Sequence, residues 1–134
     1  LWYPSTFRPK GELKVPLQIL GEIIVTPDID EAVVESIRQE LQRKTGKQVE
    51  RVDGAHNRLF GPSAIFRVSP VGDAHIFVVF RPGLCRQGSS ASGLVKEVAE
   101  TIEALIATER QVIEVDEKGV HQARPLRSYR ITTT

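Results

Sequence analysis

The sequence predicts an α+β fold: a two-layer sandwich with two amphipathic helices on one face of a mainly antiparallel sheet. Three observations predict it. Two segments, 31–44 and 94–106, repeat apolar residues at helical spacing. Seven further segments are short, rich in β-branched residues, and bounded by glycine, proline or aspartate turns. Their order, ββ-α-βββ-α-ββ, lets each helix bury its single apolar face on the strands around it.

Composition fits that class. A chain of 134 residues suits one domain rather than two small cores. Apolar residues at 40% and charged residues at 26% exclude disordered and collagen-like classes. Residues 1–12 read as an extended N-terminal arm and residues 13–134 as the single α+β domain. The arm carries Trp2, Tyr3 and Phe7 between Pro4 and Pro9, which remove backbone donors and forbid a regular helix. Its aromatics are expected to pack on the domain edge or to meet a partner. A start at Leu1 in a chain without methionine is expected of a processed or truncated product. Membrane contact is expected only through a segment preceding Leu1, because no run approaches the roughly 20 apolar residues of a span.

Residues 13–20 read as an edge strand, because Pro16 is tolerated only there, and residues 22–25 as the next strand. Pro27, Asp28 and Glu31 form a helix start with capping-box spacing. Val33, Val34, Ile37 and Leu41 then share one face, and Gly46 stops the helix. Residues 48–52 form a short strand, Asp53-Gly54 a turn, and residues 55–62 an irregular stretch. In 63–69, Ala64, Phe66 and Val68 alternate with Ile65 and Arg67. After a turn at 70–73, residues 74–80 return antiparallel as the most apolar segment. Both its faces are apolar, so Phe77 and Val79 are expected to be covered by a partner, a second copy or the arm. The second helix, with Leu94, Val98, Ile102, Leu105 and Ile106 on one side and Val95 beside them, runs to about Thr108 and is followed by a strand at 112–116. A last strand over 120–133 is interrupted by Pro125.

The 81–93 loop is the most suggestive chemical feature. It leaves an apolar strand and enters a helix, whose first N–H groups are unpaired and carry partial positive charge. Arg81, Arg86, Gly88, Ser89 and Ser90 converge there, so an anion or phosphate-bearing ligand is one reading. The loop matches neither a dinucleotide fingerprint nor a Walker motif, and the preferred reading is a flexible connection whose Ser89, Ser90 or Ser92 caps the helix. Cys85, the one cysteine, sits beside Arg86, but no histidine is placed to serve it as a base. His56, His75 and His121 lie in separate segments without metal-ligand spacing, so no metal and no cofactor are expected. Arg124, Arg127 and Arg130 with Tyr129 suggest a basic, aromatic patch for single-stranded nucleic acid. Against that stands a net charge of only +1.

No catalytic constellation emerges. The expectation is a non-enzymatic interaction or assembly domain, a subunit of a larger complex. Its contacts with a protein partner or second copy would be made by Trp2, Tyr3, Phe7, Phe77 and Val79. An anion-binding module at 81–93 and a weak nucleic-acid-binding domain are the alternatives.

Overall fold

The computed structural model describes residues 29–129, together with the backbone of two short strands, β1 (Leu17–Ile19) and β2 (Glu22–Ile24). The arm, with Trp2, Tyr3 and Phe7, lies outside the described residues, as do Asp28 and Arg130. From Asp30 onward the order is α1 (Glu31–Thr45), β3 (Gln48–Arg51), α2 (Asp53–Phe60), β4 (Ala64–Val71), β5 (Ala74–Phe80), α3 (Ala91–Glu103), β6 (Gln111–Asp116), β7 (Gly119–Val120) and β8 (Arg124–Pro125). The main sheet runs β3-β4-β5-β6-β7, and β8 also pairs with β6. This is the expected two-layer α+β architecture, with α1 and α3 on one face of the sheet.

Local chemistry accounts for the helices. Asp30, not Asp28, caps α1: its carboxylate accepts the Ala32 N–H at 2.9 Å, which removes one of the unpaired donors of the first turn. Gly46 ends α1 in the left-handed conformation at φ 66°, where glycine carries no Cβ penalty. Val34, Ile37 and Leu41 of α1 and Val95, Val98 and Ile102 of α3 pack on Phe66, Val68, Ile76, Val78, Phe80 and Ile113 of the sheet. Each of these side chains is buried, so this layer is the principal hydrophobic core.

Several expectations need correction. Helix α3 ends at Glu103 rather than near Thr108, so Ile106 lies past its buried stripe and is 91% exposed. The strands β1 and β2 pair antiparallel with each other, Leu17 opposite Ile24, and form a separate two-stranded sheet rather than part of the main one. The turn expected at Asp53-Gly54 is the first turn of α2, and most of the stretch read as irregular is that helix. Strand β6 lies parallel to β5, because α3 carries the chain back to the starting end of β5 before β6 begins. The long last strand is two two-residue pieces, β7 and β8, followed by a 3₁₀ turn, Leu126–Ser128. Pro125 cannot donate to a ladder, which fits so short a β8. The turn between β4 and β5 requires Gly72: its φ is +59°, and a Cβ there would meet the Ala107 carbonyl oxygen at 2.5 Å.

The largest correction concerns the second face of the sheet. Phe77 and Val79 are 3% and 0% exposed within the chain itself. They form a second core with Phe60 of α2, Ile65 and Val112, flanked by Leu59, Leu126 and Tyr129. His56 of α2 sets its ring edgewise against Phe77, with centroids 4.9 Å apart. Phe77 and Val79 are therefore core residues and offer no surface to a partner.

The outer edge of β3 is also capped at Val49. The Val49 N–H donates to the Gln42 side-chain oxygen at 3.1 Å, and the Val49 carbonyl accepts from Arg38 at 3.1 Å. Two α1 side chains thus occupy the backbone groups that an added strand would use. Replacing both by alanine should speed hydrogen exchange of the Val49 amide by roughly five- to tenfold, the worth of about one net hydrogen bond. Unchanged exchange in the double variant would show that these contacts protect nothing.

Candidate functional site

The first turns of α1 and α3 meet at one end of the helical layer, and a groove of about 340 Å³ opens between them. Val33, Ile37, Ala91 and Val95 supply apolar walls. Asp30, Ser36, Glu40, Arg86, Gln87, Ser89 and Ser92 supply a polar rim. Two ties hold the rim to the core. The Asp30 N–H donates to the Cys85 carbonyl at 2.7 Å, and the Ser89 hydroxyl donates to the Leu84 carbonyl at 2.9 Å. The groove is thus preformed by one backbone tie at the start of α1 and one side-chain tie ahead of α3.

Four of the five residues expected at an anion site belong to this region. Arg86, Gly88 and Ser89 line the groove, and Ser90 occupies the N-cap position of α3. The Ser90 side chain makes no capping bond; the neighbouring Ser89 hydroxyl accepts the Ala91 N–H at 3.4 Å. Arg81 does not join them. Its guanidinium donates to the Phe60 carbonyl at 2.6 Å and to the Ser63 hydroxyl at 3.0 Å, and it pairs with Glu114. The reason is its place in the chain: Arg81 directly follows β5, so it is held beside β6 while the rest of the loop continues to α3.

That commitment builds a second polar cluster at the end of β6. The Tyr129 hydroxyl donates to Glu114 at 2.7 Å, and Arg124 lies over the Tyr129 ring at 4.7 Å. Burial raises the Glu114 pKa, but the hydrogen bonds from Tyr129 and Arg81 outweigh it and hold the carboxyl below its ordinary range. Burial and the bond to Glu114 push the Tyr129 phenol up to about 12. Asp116, His121, Gln122 and Ala123 complete an open cavity of about 490 Å³. This arrangement ties the C-terminal segment to α2 and the sheet. The Tyr129 ring also meets Phe60 edgewise, with centroids 5.3 Å apart. With Arg124 over one face and Phe60 against it, the ring is not an open platform for stacking a base, and Arg127 is paired with Glu109.

The histidines stand in three different settings. His56 contacts Phe77, His75 bonds to Ser69 at 2.6 Å, and His121 pairs with Asp116 at 2.9 Å. Cys85 is fully buried under the loop, with its thiol directed at the Phe80 and Arg81 carbonyls. Burial pushes that thiol up to about 11, so the thiolate is scarce at neutral pH. A disulfide reagent at pH 8 should therefore leave Cys85 essentially unmodified in the native protein and modify it fully in denaturant. Stoichiometric native labelling within minutes would contradict the buried placement.

Comparison with family models, curated proteins and solved structures finds no match. Among the described residues, no helix is long and apolar enough to cross a membrane. The sequence pattern missed the groove as a whole: it located the loop rim through its glycines and serines, but gave no sign that α1 faces it. Val33 and Ile37, read only as core positions, also wall the groove.

Proposed function

We propose that this chain is a non-enzymatic interaction or assembly domain, a module of a larger protein or complex. The α1–α3 groove is the surface that takes an apolar side chain of a protein partner, and the segment carrying Trp2, Tyr3 and Phe7 adds contacts of its own. The groove is the observation that carries this reading. It combines apolar walls with a polar rim on rigid elements, the usual make-up of a protein-binding patch. Among the described residues, most other large apolar side chains lie in the two cores, Ile106 being the exception.

The test compares the full chain with Ser36→Arg, which places a long charged side chain at the mouth of the groove from an exposed α1 position. Proteins recovered with the wild type from its own cellular extract and lost with Ser36→Arg support the reading. Identical sets of recovered proteins, with both chains equally folded, overturn the groove as the contact.

A second reading is favoured by one specific observation: Arg86, Gly88 and Ser89 line the groove where two helices begin. Helix starts and an arginine suit an anion, such as the phosphate of a small ligand. Amide shifts confined to 86–93 on titration with phosphate, and lost in Arg86→Ala, would support it. No shift at millimolar phosphate would leave the protein-contact reading alone.

A further inference from the structure

We infer that the open cavity at the end of β6 is a second binding site, and that it takes a small organic carboxylate bearing a hydroxyl group. Arg124 holds the carboxylate and His121 the hydroxyl. The site is separate from the α1–α3 groove and goes beyond the protein-contact reading above.

The cavity exists because the sheet edge beside β6 is interrupted. Strand β7 pairs Val120 with Val115, and β8 pairs Arg124 with Val112. Residues 121–123 therefore stand opposite only Ile113 and Glu114, and this longer stretch bulges from the ladder. Such bulges re-aim side chains. Here they set His121, Gln122 and Arg124 around one cavity of about 490 Å³, with Glu114, Asp116 and Tyr129 in its lining. That size falls in the roughly 300–1,000 Å³ range of small-molecule sites. Its charged and polar walls suit a polar ligand.

The lining divides into groups that are engaged and groups that are not. Glu114 accepts from the Tyr129 hydroxyl at 2.7 Å and pairs with Arg81. Asp116 accepts the Lys118 N–H at 2.8 Å and pairs with His121 at 2.9 Å. Both carboxylates are thus used by the chain itself. Among the described residues, the Arg124 guanidinium makes no hydrogen bond and no ion pair, and rests on the Tyr129 ring at 4.7 Å. That ring is fixed by Glu114 and by Phe60, so the guanidinium is supported while its N–H fork stays unused. A planar fork matches a carboxylate through two parallel hydrogen bonds. Arg81 offsets Glu114 and Arg124 offsets Asp116, so no net charge opposes an anion.

His121 adds the second requirement. Its Nε2 faces a carboxylate, which can only accept, so Nε2 carries the proton and Nδ1 of the neutral ring is left as an acceptor. An arginine and an acceptor lining one cavity select an acid that also carries an O–H donor.

Titration of the full chain with lactate, followed by amide shifts, tests this. Saturable shifts at 114–116 and 121–124 are expected, with a dissociation constant in the millimolar range, as suits a small ligand at an open site. Arg124→Gln should weaken binding by roughly tenfold or more, and Arg124→Lys should not restore it, because an ammonium lacks the planar fork. Propionate, which is lactate without the hydroxyl, should bind the wild type roughly threefold more weakly. His121→Ala should remove that preference. Arg124 and His121 are exposed, so these variants should keep the fold. No saturable shift at tens of millimolar lactate, equal affinity for lactate and propionate, or binding that survives Arg124→Gln would each overturn the inference. Shifts confined to 86–93 would place the acid in the groove and overturn it as well.

Discussion

Phe77→Ala should lower stability by about 3–5 kcal/mol without changing the association state, measured by urea denaturation and sedimentation. Phe77 is buried at 3% exposure among Phe60, Ile65, Val79 and Val112, and the His56 ring lies against it. Truncation removes the ring from a close-packed second core whose neighbours come from three strands, a helix and the C-terminal turn. Such a site cannot collapse easily, so the cost includes a cavity as well as lost burial. A loss of this size is a large fraction of the 5–15 kcal/mol that typically separates folded from unfolded chains. If Phe77 served a partner instead, the variant would keep its stability and lose association. A loss under about 1 kcal/mol would show that α2 does not seal this face.

The second large effect is expected at Glu114. Glu114→Gln should cost about 2 kcal/mol at pH 7, because it leaves Arg81 without its carboxylate in a partly buried setting. The figure stays below that of a fully buried pair because Arg81 is 32% exposed and keeps the Phe60 carbonyl and the Ser63 hydroxyl. The pH dependence identifies the cause. The Glu114 pKa is depressed by folding, so its contribution is complete above the unfolded value of about 4.3 and disappears as pH falls through the lower folded value. The Tyr129 pKa is raised, so its contribution is complete below the unfolded value of about 10 and disappears as pH rises through about 12. Glu114→Gln should flatten the acid arm of the stability profile and Tyr129→Phe the alkaline arm. A profile for Glu114→Gln that parallels the wild type between pH 2 and 5 would refute the coupling.

Legibility varied with the range of the interactions involved. The two long helices announced themselves because each must bury one stripe, and a stripe at 3.6-residue spacing is written in a single segment: Val34, Ile37 and Leu41, or Val95, Val98 and Ile102. The Gly46 stop was equally local, since it depends on a left-handed φ that glycine adopts without strain. The alternation of Ala64, Phe66 and Val68 against Ile65 likewise sorted correctly onto the two cores. The eight-residue α2 was illegible for the converse reason. It has no capping side chain, begins with Asp-Gly, and buries chiefly Phe60, so its helicity comes from packing on Phe77 rather than from its own pattern.

The sequence by itself determined the α+β class, the principal helices and the doubly apolar character of β5, because burial periodicity and turn chemistry act over a few neighbouring residues. Tertiary structure decided what covers the second face of the sheet, and thereby turned Phe77 and Val79 from contact candidates into core. It decided that Arg81 turns to Glu114 rather than to the loop it opens, a choice between partners 33 residues apart and others nearby in sequence. It also decided that the loop rim faces α1 across a groove. Each of these depends on which distant segments the sheet brings together, and on the strong preference of a partly buried charge for a partner, neither of which is encoded in the spacing of a single segment.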